Sequence, residues 1–82
     1  MLKIQRFAGG ESVVFVLSGR IETENVTQLE SLITAEPKPV LFDLGEVNLV
    51  SREVVKFLVQ CEENGIKIRN CPPYIREWIA RE

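Results

Sequence analysis

The sequence predicts a single α/β domain: a mixed four-stranded sheet, its first two strands a hairpin and the rest parallel, with about three helices packed on it. Three observations carry that expectation. Eighty-two residues make one compact core and no more, because a chain this short buries only about 60–65% of its unfolded surface. Apolar runs of strand length, SVVFVL and VLF, alternate along the chain with stretches whose apolar residues recur at helical spacing. The hydrophobic fraction of 45% and charged fraction of 27% are those of a chain rich enough in Val, Leu and Ile to fold.

Leu2 to Phe7 places Leu2 and Ile4, then Phe7 after a slip, in a first strand that stops at Ala8-Gly9-Gly10-Glu11. The glycines there tolerate the positive φ of a reversal, so a hairpin is expected. Ser12 to Leu17 is β-branched and aromatic without a polar interruption, as in a strand covered on both faces or lying in mid-sheet. Ser18 to Glu22 leads out of it. Thr23 or Asn25 then caps a helix with apolar positions Val26, Leu29, Leu32 and Ile33, and Asn25 with Gln28 has the form of a capping box.

Pro37 and Pro39 end that helix and launch Val40 to Leu44, a buried strand parallel to its predecessor because a helix intervenes. An acidic turn around Gly45 and Glu46 is expected next. Ser51 is placed to cap a second helix, with Glu53 in its first turn and Val54, Val55, Phe57, Leu58 and Cys61 on its inner stripe. Asn64-Gly65 closes it. Ile66 to Arg69 alternates as a less buried strand, and Pro72-Pro73 opens a last helix bearing Tyr74, Ile75, Trp78 and Ile79, whose apolar face is expected to cover the core.

Composition excludes several chemistries. Ten basic and 12 acidic side chains leave a net charge of -2, the opposite of a nucleic-acid footprint. The acidic excess lies in the first fifty residues, where Glu11, Glu22, Glu24, Glu30, Glu36, Asp43 and Glu46 stand against Lys3, Arg6, Arg20 and Lys38. Histidine is absent, which removes the commonest general base and metal ligand, so a non-catalytic protein without cofactor or metal is expected. Asp43 and Glu46 follow a buried strand, where ligands of open sheets bind, but a turn-forming Asp and a solvated Glu explain them. Gly9-Gly10 lacks the Lys and Ser/Thr of a phosphate-binding loop. Cys61 and Cys71, ten positions apart, fit neither a redox pair nor a zinc set and read as separate thiols. MLKIQRF is no signal peptide, and no apolar run nears the roughly 18 residues of a membrane span, so cytoplasmic residence without membrane insertion is the expectation.

Taken together, Leu17-Ser18-Gly19-Arg20-Ile21, the VLFDL strand and the segment after it resemble the STAS domain, the family of bacterial anti-sigma factor antagonists, over nearly the whole chain. In that family a strand of this form leads to D-L-S-x-V-x-x-I-D-S-S-G-L, and Asp43 to Val55 lies over it without a gap. The resemblance implies an α/β fold, a kinase-type anti-sigma factor as partner, and a phosphorylated Ser or Thr in the D-S-S-G segment. Here Ser51 falls on the family's Asp, Arg52 and Glu53 on its two serines, and Val54 on its Gly. A guanidinium neither accepts phosphate nor imitates its charge of about -1.5 to -2, so the usual switch is expected to be disabled. Phosphorylation of Ser51 out of register is a further expectation, tolerated at a helix N-terminus beside Arg52; its N-cap role explains the residue without any kinase.

What remains is a protein-binding module that docks through Asn48 to Lys56. Arg52, Glu53 and Lys56 supply polar contacts, and Asn48 and Ser51 shape the loop. Two alternatives stand beside it: the accessory STAS subunit of a bacterial lipid-transport ABC complex, seated on its ATPase, and a small-ligand or nucleotide-binding domain with a pocket near Asp43 and Ser18. An unpaired edge strand with Tyr74 and Trp78 leaves a homodimer open. The family usually carries a further strand and a longer last helix beyond the point matching Glu82, so either a minimal version of the domain or a piece of one is expected.

Overall fold

The computed structural model describes all residues, Met1–Glu82, as β1 (Leu2–Gly9), β2 (Ser12–Ile21), α1 (Asn25–Ala35), β3 (Val40–Val50), α2 (Arg52–Glu63), β4 (Lys67–Arg69) and α3 (Pro73–Arg81). The strands lie in the order β1-β2-β3-β4. β1 and β2 are antiparallel, with Gly9 opposite Ser12 across a turn where Gly10 takes φ 62°. β2–β3 and β3–β4 are parallel. The expected mixed sheet with three helices is what the chain forms.

β2 does lie in mid-sheet, but only one of its faces is fully covered. Val13, Phe15 and Leu17 are buried with Val40, Phe42 and Leu44 of β3, together with Val54, Val55, Phe57, Leu58 and Cys61 of α2 and Ile75 and Ile79 of α3. On the other face Val14, Val16 and Leu41 are half-buried and Phe7 is exposed. The uninterrupted apolar run thus comes from a central strand whose second face is partly open to water.

The largest departure from expectation lies between Leu44 and Val50. No turn forms there. β2 and β3 stay paired as far as Ile21 with Val50, through two irregularities. Between the pairs Val16–Asp43 and Ser18–Glu46, Leu17 alone faces Leu44 and Gly45; between Gly19–Val47 and Arg20–Leu49, Asn48 has no counterpart. Two extra residues on β3 therefore convert its spacing from two to three, and Leu44, Val47 and Val50 all reach the core. Such bulges also twist the strand end that delivers Ser51 to α2.

Caps were legible for α2 and not for α1. The Ser51 hydroxyl accepts from the Val54 N–H, and Gly65 follows the helix at φ 89°. In α1 no side chain caps the helix; the Asn25 side-chain Oδ1 accepts backward from the Glu22 N–H, and Thr23 turns its hydroxyl to Ser51. The expected Asn25–Gln28 capping box is absent, because Asn25 Oδ1 faces back to the Glu22 N–H and away from the first turn of α1. Of the four apolar residues of α1, Leu29 alone is buried. Likewise α3 covers the core with Ile75 and Ile79 while Trp78 packs partly and Tyr74 stays exposed, so the expectation for Tyr74 fails.

Gly19 holds β1 against the bulge. Its φ is 90°, and a Cβ there would run into the carbonyl oxygen of Met1, which also accepts from the Arg20 N–H. Gly19→Ala is expected to cost about 1–2 kcal/mol, the strain of a left-handed residue eased by displacement of the chain end. A urea titration showing an unchanged midpoint would contradict it.

Candidate functional site

At the far end of β3 the chain turns directly into α2, and the residues expected to form a binding site gather there. Ser51 has extended backbone (φ -84°, ψ 166°) and sits in the sheet-to-helix corner. Its N–H donates to the Ile21 carbonyl at 3.2 Å, its carbonyl accepts from the Val55 N–H at 3.1 Å, and its Oγ accepts from the Val54 N–H at 3.3 Å. Thr23 Oγ1 lies 2.9 Å from Ser51 Oγ, so one hydroxyl donates to the other and the hydrogen bond ties the start of α1 to the start of α2. Ser51 is thus a committed cap, half-buried.

Arg52, Glu53 and Lys56 are exposed on the first turns of α2. Lys56 Nζ is 3.8 Å from Glu53, a loose contact between two side chains more than half exposed, which contributes little. Arg52 has no carboxylate partner within ion-pair distance. Asn48 is exposed on the second bulge instead of in a loop. The expected loop is therefore a rigid corner, stiffened by strand pairing on one side and a capped helix on the other.

Leu49 and Thr23 were missed. Leu49 is 50% exposed and stands beside Arg20, Glu22, Thr23, Glu24 and Ser51 around a hollow of about 270 Å³. Its signal was present in Asn48-Leu49-Val50, where the bulge sends Val50 inward and leaves its apolar neighbour in water, but that signal needs the register to be readable. Thr23 looked like a cap and is a bridge.

Other candidates are accounted for without chemistry. Asp43 forms no turn: its carboxylate accepts from the Gly45 N–H at 2.9 Å, Asn70 Nδ2 at 3.1 Å and the Arg69 guanidinium at 3.3 and 3.4 Å. Burial opposes its charge, but these donors outweigh burial and hold the carboxyl below its usual value. Glu46 is exposed and opposite Ser18. Neither the hollow beside Leu49 nor the one lined by residues of α1 and α2 includes Asp43 or Ser18. Cys61 and Cys71 are free, and burial pushes the Cys61 thiol up to about 12 and raises that of Cys71. No group of three or more His, Cys, Asp or Glu side chains could hold a metal ion, and no helix is long and apolar enough to cross a membrane.

No family model matches the chain, and no curated protein matches it. Solved structures share its fold. A protein called Mglu is similar with a TM-score of 0.61 and 16% identity over 84% of this chain, which spans only 19% of that protein. An uncharacterised DUF3478-family protein from Shewanella loihica PV-4, described as having a SpoIIAA-like fold, is similar with a TM-score of 0.54 and 17% identity over 98% of this chain and 74% of its own. The chain is thus an α/β domain with four mixed strands and three helices. Its fold is SpoIIAA-like, which is to say STAS-like.

Proposed function

We propose that the chain is a non-catalytic STAS-type module that docks a protein partner at the β3–α2 corner, without phosphorylation of Ser51. The reading is carried by a half-exposed Leu49 and, three residues on, Arg52, an exposed cation lacking any carboxylate. Both stand on a corner whose backbone is held by strand pairing and a capped helix, which lowers the ordering cost of binding. Leu49 supplies the apolar anchor and Arg52 and Lys56 set orientation and attract an acidic patch. Ser51 and Thr23 hold the corner together. An anti-sigma factor of the kinase type and a transporter ATPase are the two partner classes the STAS resemblance offers.

The test is affinity capture from native cell extract with the tagged chain and with Arg52→Asp and Leu49→Asp. Both side chains are exposed, so the melting temperature should move by less than about 2–4 °C. Each variant should reduce recovery of the same partner about tenfold. Recovery unchanged by both would remove this corner as the docking site. The captured protein's own identity separates the two partner classes.

A further inference from the structure

Roughly 30 Å from Ser51, at the other end of the eleven-residue β3, residues of α1 and α2 line a cleft of about 800 Å³. Small-molecule sites typically occupy about 300–1,000 Å³. Ile33, Phe57 and Ile66 line it with apolar surface, and Gln60 and Glu30 stand on it with polar groups that no other side chain or backbone group engages.

The cleft has a charge preference. α1 ends at Ala35 and α2 at Glu63, so both helices present their carbonyl ends on this side, and neither has a basic residue in its last turn. Those ends carry the negative poles of the helix dipoles. Of its other two charged residues, Glu36 is held by Arg6 through contacts of 2.7 and 3.1 Å, and Lys38 keeps its charge at the rim with its Nζ tied back to the Gly10 carbonyl at 3.0 Å. Glu30 is left without a counter-ion, close enough to Cys61 for its charge to add to burial in raising that thiol.

We propose that this cleft binds a small organic ammonium ion with an apolar body, an alkyl- or arylalkylamine, with its charge on Glu30 and its hydrocarbon over Ile33, Phe57 and Ile66. An anion of the same shape would have only Lys38, tied back to the Gly10 carbonyl, to set against Glu30 and two helix carbonyl ends, and an inorganic cation would leave the apolar surface wet. Phosphates have no helix N-terminus here to receive them. The site is independent of the docking corner.

The test is a titration of the full chain with 2-phenylethylamine at neutral pH, followed by isothermal calorimetry and amide NMR, with phenylacetate and ammonium chloride as comparators. Saturable binding of the amine alone is expected, with shifts at Ile33, Phe57 and Ile66. Glu30→Gln should weaken it about tenfold, the loss of one charge-assisted contact, and Gln60→Trp should block it; both positions are exposed, and unchanged NMR dispersion verifies folding. Equal binding of phenylacetate, indifference to Glu30→Gln, shifts mapping elsewhere, or no saturation by the amine would each overturn the proposal. Arg52→Asp should leave the titration unchanged.

Discussion

Phe42→Ala should cost the chain about 3–5 kcal/mol, the largest loss expected of any single truncation. Phe42 is fully buried in β3, with its ring centroid 6.2 Å from that of Phe15 and 6.4 Å from that of Phe57, both in tilted geometry. It is the ring through which β2, β3 and α2 meet. Truncation loses the transfer free energy of the ring, two aromatic contacts and the packing around the cavity left behind, about 3–5 kcal/mol. A domain of this length has about 4–12 kcal/mol in total, so the loss runs from about a third of the margin to all of it. Phe7→Ala is the control, because Phe7 is exposed on the uncovered face of the sheet and should cost about 0.5 kcal/mol or less. Urea unfolding of both variants measures the contrast, and similar midpoints would mean that the aromatic cluster is not the centre of the core.

Residues whose role depends only on their neighbours in the chain were legible from the sequence. The α2 stripe, its Ser51 cap and Gly65 stop, the hairpin at Gly10 and the parallel crossover through α1 all follow from local spacing and turn chemistry, and all are present. What escaped reading depends on register. Gly45-Glu46-Val47-Asn48 has the composition of a turn, and its placement in a bulged strand is decided by pairing with Ser18 and Gly19, some thirty residues earlier. Because the bulges shift every following side chain, Leu49 came out on the surface and Val47 and Val50 went into the core. The same dependence hid Thr23, whose hydroxyl could cap its own helix or reach Ser51, a choice set by where the bulged strand ends.

The two proposed sites divide along this line. The β3–α2 corner proposed for docking is legible in the sequence as a helix start, because Ser51 marks it, whereas the exposure of Leu49 is not. The α1–α2 cleft is not legible in the sequence: α1 buries only Leu29 and its last turns line the cleft together with those of α2, and no periodicity reports how far apart two helices end. The expected pocket near Asp43 assumed that ligands sit at the carboxyl ends of strands, a place that Asp43 and its donors fill themselves.

That filling makes Asp43 the second residue of large effect. Its carboxylate joins β3 to Arg69 of β4 and Asn70 beyond it, the latter in left-handed backbone at φ 56°, and bridges its own bulge through the Gly45 N–H. The side chain is only 14% exposed, so Asp43→Ala strands the Gly45 donor and frees the end of β4, at a cost of about 2–3 kcal/mol. Asp43→Asn keeps one acceptor but presents an amide to Arg69, and should cost about 1–2 kcal/mol. The dependence on pH separates this role from simple packing. Because the folded-state carboxyl lies below its usual value, the unfolded chain binds the proton more readily, so the contribution is complete above the unfolded value of about 4 and fades as pH falls through it toward the lower folded value. Glu36, held down chiefly by its hydrogen bond to Arg6, acts in the same direction. The stability difference between the parent chain and Asp43→Asn should therefore be constant from pH 7 to about 5 and shrink below about 4. Urea midpoints for the two chains at pH 7, 5 and 3 measure it. A difference that stays constant down to pH 3 would show that Asp43 acts through its shape, with its charge contributing nothing.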